Sequence, residues 1–254
     1  MTSEVLKQDG PIILALDTSS KATSIAVANG DQTLRSIKET SLEKRSERLW
    51  TEVQSLLDRA GLTIRGIDLF AVCVGPGGFT GLRVGIAAVK GWASALREPL
   101  LGVTSLEGTA FGVAPASLVC ALINANRSEV YSQLFSFDGE GVPVAKNDPM
   151  VTTLNVALER IELEHDVVFA GDAANECAEF IMNVNAAREG GEWSIVKAET
   201  CIAEDIARLA LLKYARAEVS TAADLKACYI RPAEAEIKLS LGLLGSKIKR
   251  IRKG

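Results

Sequence analysis

Twice along this chain a run of consecutive apolar residues leads into further strand-like segments and only then into helical periodicity. That double succession limits the fold more than any other feature of the sequence. The first round opens with "PIILALD", a buried strand over Ile12–Leu16 that ends at Asp17. It continues with "TSIAVANG", closed by the turn signal Asn29-Gly30, and with "TLRSIKE". Amphipathic spacing then predicts a helix from Ser46 to Ala60, with Leu49, Val53, Leu56, Leu57 and Ala60 on one face. Ser46 stands at its N-cap and Gly61 just beyond its end. A buried strand over Leu69–Val74, a glycine-rich loop, a helix over Gly81–Leu96, the strand "LLGVT" and a short helix near Ser105–Gly112 complete this round. The second starts at "SLVCALINANRSEVYSQLFSF", a buried strand followed by an alternating one that runs to Asp138-Gly139. Helices near Thr152–Ile161, Asp172–Met182 and Ala203–Arg216 follow, around the strand "VVFAG". Strands first and helices second, twice, predicts an α/β protein of two related lobes, residues 11–115 and 116–235, with a basic tail over 236–254.

Composition agrees and excludes several functions. Of 254 residues 48% are hydrophobic, enough for a sizeable core, and aromatics are only 5%. Apolar content dominated by Ala, Val, Ile and Leu suits helices packed on parallel strands. A net charge of −4 rules out a chain that binds nucleic acid through its overall charge, so any RNA contact has to be local or shared with a partner. Five scattered cysteines (Cys73, Cys120, Cys177, Cys201 and Cys228) read as reduced thiols of a cytosolic protein. The first residues carry no secretory pattern and no apolar run is long enough to span a bilayer, so the expectation is a cytoplasmic protein with no membrane partner.

The loop "VGPGGFTGLRVG", Val74–Gly85, raises the question of phosphate. No register gives a Walker loop, which needs Lys and Ser or Thr after its second glycine. Gly75-Pro76-Gly77-Gly78-Phe79-Thr80 also fails the last place of G-x-G-x-x-G. The residues themselves favour a strand-to-helix turn, with glycines at positive φ and Thr80 capping a helix that begins at Gly81. In "GLRVGIAAVKGWASALR" the polar residues are only Arg83, Lys90, Ser94 and Arg97, on one narrow stripe. Leu82, Ile86, Val89, Ala93 and Leu96 recur at heptad spacing, and Gly85, Ala88, Gly91, Trp92 and Ala95 add a small or apolar face. A helix of this kind is covered on more than one side, by its own sheet and by either the Ser46–Ala60 helix or another subunit.

Taken together, "ILALDTSSKATSIAVANG", "GPGGFTGLRVGIAAVKGWA", "GVTSLEG", "NANRSEVYSQLF" and "YIRPAEAE" resemble the bacterial TsaB family, also called YeaZ. The resemblance implies two duplicated actin-like, chaperone-ATPase-like (ribonuclease H-like) lobes. It also implies a non-catalytic scaffold that heterodimerises with the catalytic paralogue TsaD and works with the ATPase TsaE. Together these transfer threonylcarbamoyl to the adenosine beside the anticodon, in tRNAs reading codons that begin with A. The family's partner contact is a four-helix bundle made by two N-terminal helices. Carried onto this sequence, that contact falls on Leu49, Val53, Leu56, Leu82, Arg83, Ile86, Val89, Lys90 and Ala93. Alone, such a chain is expected to homodimerise.

Catalytic relatives hold a metal with an H-x-x-x-H pair, whereas this chain has one histidine, His165, in the charged run "ELEHD". No catalytic residue and no metal site are therefore expected. Asp17, Thr18 and Ser19 fall where the superfamily's first phosphate loop lies and read as a degenerate one. The second loop often reads "DAR" in the family and is Asn124-Ala125-Asn126 here, which removes a carboxylate. The reading requires no cofactor and keeps a place for an adenine nucleotide held weakly at the partner interface. Lys238, Lys247, Lys249, Arg250, Arg252 and Lys253 make the tail basic, suited to tRNA phosphates, to an anionic membrane surface or simply to water. Two alternatives remain: a stand-alone ATP-dependent enzyme or metallopeptidase of the same superfamily, and a homodimeric binding module.

Overall fold

A computed structural model describes residues 10–40, 45–161, 166–188, 191–197 and 202–231. His165, Cys201, the tail and the side chain of the expected N-cap Ser46 lie outside the described residues. The first unit comprises β1 (Ile12–Asp17), β2 (Thr23–Asn29), β3 (Gln32–Glu39), α1 (Arg45–Ala60), β4 (Leu69–Cys73), α2 (Phe79–Leu96), β5 (Leu100–Val103) and α3 (Ser105–Phe111). The second comprises β6 (Val119–Asn124), β7 (Glu129–Phe137), β8 (Pro143–Ala145), β9 (Met150–Thr153), α4 (Leu154–Glu159), β10 (Val167–Ala170), α5 (Asp172–Glu176), α6 (Ala178–Ala186), β11 (Trp193–Ile195) and α7 (Ala203–Ala215).

The two sheets share one topology. The first runs β3-β2-β1-β4-β5, an antiparallel meander continued by two parallel strands. The second runs β8-β7-β6-β10-β11 in the same senses, with β9 added against β7. Every residue of β1, β2 and β4 is buried, so both faces of the first sheet must be covered. On the first sheet α1 lies on β2 and β3 and α2 chiefly on β4, while α7 spans β1, β2, β4 and β5. Alternation in β6 separates the second sheet's two cores: Cys120 and Leu122 pack with Phe169 and Trp193, whereas Val119 and Ala121 pack with Leu106 and Ala110 of α3.

Helices are therefore exchanged between the units. The last helix of the first unit, α3, covers the second sheet, and the last helix of the second, α7, covers the first. The two meet, and Lys213 Nζ on α7 donates to Glu107 Oε1 on α3 at 2.5 Å.

Several local differences from the sequence reading have simple causes. Helix α2 starts at Phe79 with Gly78 as N-cap and no side-chain cap, so Thr80 sits in the first turn instead of capping it. Thr104 does cap α3, through a reciprocal capping box with Glu107. Where the spacing predicts a helix from Thr152, the β-branched Val151, Thr152 and Thr153 pair with β7 and the helix begins at Leu154. The expected Asp172–Met182 helix breaks at Cys177, whose backbone (φ −107°, ψ 18°) leaves the helical region between α5 and α6.

Candidate functional site

The turn after β1 and the glycine loop after β4 are packed into each other. Asp17 Oδ1 accepts from the Ser19 N–H at 2.8 Å, and Thr18 Oγ1 donates to the Gly81 carbonyl at 2.8 Å. The Gly78 N–H donates to the Ser19 carbonyl at 2.6 Å. A β-carbon on Gly77 would stand 2.5 Å from that carbonyl oxygen, and one on Gly85 would overlap Thr18 Oγ1. The glycines are there because two backbones and a threonine hydroxyl approach too closely for any side chain. Ser105 at the start of α3 holds the loop from the other side, its hydroxyl on the Pro76 carbonyl at 2.6 Å.

Asp17, Thr18 and Ser19 are consequently buried, and none of them lines the cleft between the lobes. Cys73 is buried beside them. Burial pushes its thiol well up, the Asp17 charge adds to this, and a hydrogen bond with Ser19 opposes it. It is a neutral packing group, with none of the thiolate character a nucleophile needs.

The matching turn of the second unit faces the cleft. The Asn124 N–H donates to Asp172 Oδ1 at 2.8 Å, Asn124 Nδ2 donates to Glu176 Oε2 at 2.9 Å, and Asn124 Oδ1 accepts from the Asn126 N–H at 2.8 Å. Burial raises the Asp172 carboxyl above its ordinary value, against the pull of the Asn124 and Ala173 N–H groups. An aspartate at 124 would face the Glu176 carboxylate, so the amide is the side chain this setting favours. Asn126, Arg127 and Ser128 follow with φ of 60°, 56° and 61°, three consecutive left-handed residues without a glycine. Each costs about 1–2 kcal/mol, Asn least. This strain presents the exposed Arg127 at the cleft.

The cleft has a volume of about 310 Å³ and is walled by Gly77, Gly78, Phe79, Arg127, Tyr229 and Arg231 among others. Arg231 donates to the Ala125 carbonyl at 3.2 Å and is paired with Glu129. At the mouth the Arg83 guanidinium lies 3.8 Å over the Phe79 ring, the Phe79 and Tyr229 rings are 5.2 Å apart, and Arg83 Nε donates to Tyr229 Oη at 3.3 Å. The sequence reading missed this cluster, although "GGFTGLR" and "CYIRP" supply all of its members.

The structure corrects the expected partner contact. Leu49, Val53, Leu56, Leu82, Ile86, Val89 and Ala93 lie inside the first unit's core, with Val53, Leu82 and Val89 at 0% exposure. Heptad spacing had identified the sheet-facing side of each helix, and a side chain already in the core cannot also reach a partner. Of the expected residues Arg83 is exposed and Lys90 half-buried. The face of α2 open to solvent is the stripe Thr80, Arg83, Ala87, Gly91, Ser94 and Ala95. Beside it Trp50 of α1 is 44% exposed, its ring 5.7 Å from that of Trp92, which in turn lies 6.4 Å from Phe70.

Among the described residues no group of three His, Cys, Asp or Glu side chains is arranged to hold a metal, and no helix is long and apolar enough to cross a membrane.

Two lobes of one topology with a cleft between them define the class as the actin-like ATPase fold. Component A of (R)-2-hydroxyglutaryl-CoA dehydratase from Acidaminococcus fermentans shares that fold at 9% identity, with a TM-score of 0.52 over 82% of this chain and 99% of that one. Within the class, the family described as "TsaD: tRNA N6-adenosine threonylcarbamoyltransferase" matches residues 32–237. The tRNA threonylcarbamoyladenosine biosynthesis protein TsaB of Escherichia coli is 32% identical over 153 residues, 59% of this chain and 66% of the relative. The sequence match thus spans just under two thirds of that relative's length. YeaZ from Pseudomonas aeruginosa is 29% identical and superposes with a TM-score of 0.70 over 86% of this chain and 99% of its own. The chain belongs to the TsaB/YeaZ family.

Proposed function

We propose that this chain is an accessory, non-catalytic subunit in the threonylcarbamoylation of tRNA. It binds the catalytic paralogue TsaD as a heterodimer and holds it competent, with TsaE and tRNA joining the assembly. The modified base is the adenosine beside the anticodon in tRNAs reading codons that begin with A. One observation carries the reading: a member of the TsaB/YeaZ family presents, next to an exposed tryptophan, a helix stripe centred on Ala87 and Gly91. Small residues let a partner helix approach closely, and Trp50 supplies apolar area at its edge. The closed turn around Asp17, Thr18 and Ser19 supports a subunit that needs no cofactor of its own. An adenine nucleotide would then sit weakly at the partner interface, and the free chain would use the same stripe to homodimerise.

The test is reconstitution of threonylcarbamoyl transfer to tRNA with and without this chain, together with Ala87→Glu and Gly91→Glu. A β-carbon on Gly91 meets nothing within 4 Å, so the charge can be added without disturbing the core. Each variant should fold, fail to co-elute with TsaD, and bring transfer down to the level seen without the chain. Full transfer by a separated pair, or with the chain left out, defeats the proposal.

A further inference from the structure

The mouth of the interlobe cleft combines a flat aromatic surface with cationic groups. Tyr229 is 45% exposed and backed by Phe79, and the Arg83 guanidinium covers the Phe79 ring. Among the described residues that wall the cleft, the charged ones are Arg127 and Arg231, the latter paired with Glu129. In a chain of net charge −4 this is a local site for a group that is both flat and anionic. We propose that the mouth binds one unpaired nucleotide of an RNA strand, its base stacked on Tyr229 and its phosphate at Arg127, a contact that rests on the tRNA-modification reading above.

Three observations favour an RNA nucleotide over other flat anions. A volume of about 310 Å³ admits a single nucleotide and excludes a duplex. The groups that a metal-bound triphosphate would need are engaged elsewhere: Thr18 Oγ1 on the Gly81 carbonyl, the Ser19 carbonyl on the Gly78 N–H, and the Asn124 amide on Glu176. Stacking of a base on an aromatic ring with a cation beside it tolerates any base identity, as a contact that only positions a larger RNA requires.

The test uses the full chain and a fluorescently labelled RNA hairpin with a single-stranded loop, followed by anisotropy at several salt concentrations. Tyr229→Ala should weaken binding by about fivefold or more, while Tyr229→Phe, which keeps the ring, should stay near the wild-type affinity. Arg127→Ala should reduce the slope of log affinity against log salt by about 0.7, the loss of one phosphate contact to a single strand. Four results overturn the proposal: no loop-dependent binding by the wild-type chain, a Tyr229→Ala affinity within twofold of wild type, equal binding of a fully paired duplex, or free AMP bound as tightly as the hairpin. Co-elution of the same variants with TsaD separates this contact from assembly. Tyr229→Ala should still co-elute while losing RNA affinity, whereas failure of the subunit reading appears as loss of co-elution or of its effect on transfer.

Discussion

The same substitution at two glycines of α2 should have opposite effects. At Gly91 a β-carbon meets nothing within 4 Å, and Ala replaces Gly in a helix interior. Gly91→Ala should therefore stabilise by roughly 0.5–1 kcal/mol, the propensity difference alone. At Gly85 the added carbon overlaps Thr18 Oγ1 and comes within 3.3 Å of Thr18 Cγ2. Thr18 is fully buried and its hydroxyl is bonded to Gly81, so it cannot swing into water. Overpacking costs about 1–3 kcal/mol and an orphaned buried hydroxyl a further 1–3, against which helix propensity returns about 1, leaving Gly85→Ala about 1–5 kcal/mol less stable. Urea unfolding followed by circular dichroism measures both variants. Thr18→Ala removes both offending atoms, so the double variant should recover most of the loss, with a coupling of at least about 1.5 kcal/mol between the two sites. If Gly85→Ala alone is as stable as wild type, the close approach of the β1–β2 turn to α2 is not what keeps a glycine there.

Two further outcomes can be checked by similar means. Val89→Asp should yield unfolded or insoluble chain, because a carboxylate enters a fully buried site, whereas Ala87→Glu should stay folded with unfolding within about 0.5 kcal/mol of wild type. Asp205, on α7 against Gly112 at the C-terminal end of α3, has its carboxyl raised from 3.8 to about 6 by burial, with Arg208 opposing and Glu204 adding. The folded state thus binds this proton more tightly than the unfolded one, so stability present below pH 4 is lost as the pH rises through about 6. Asp205→Asn should remove a cost of roughly 3 kcal/mol at pH 7 and flatten the difference curve between pH 4 and 6, measured by urea midpoints across pH.

Much of the architecture was legible because long, strongly patterned segments carry their own signal. The run Ile12–Asp17, the α1 spacing and the apolar β4 each predict the element that forms, within a residue or two at the ends. Short edge elements such as β8 and β11 escaped, since three residues make no period and their pairing depends on neighbours far away in sequence. The exchange of α3 and α7 was invisible for the same reason: an amphipathic pattern says that a helix has a buried side, not which sheet receives it. That limit also explains why the expected contact residues turn out to be buried. Leu82, Ile86 and Val89 are regular enough to suggest a coiled-coil seam, yet a seam and a core-facing stripe look alike in one dimension. The better signal was the polar stripe through Arg83 and Ser94, which marks the side of α2 that faces solvent. The cleft-mouth stack joins residues nearly 150 positions apart, Arg83 and Tyr229 at a separation of 146, and no local pattern could have paired them.

The exchange of helices also constrains synthesis. As the nascent chain leaves the ribosome, β1 to β5 emerge long before α7, which supplies one whole side of their sheet. Until then that side, with Ile13 and Ala71 among its residues, lacks the cover of α7, and the N-terminal half keeps apolar surface in water. Vectorial folding in two independent steps is therefore closed to this protein. Both halves must wait for each other and close together.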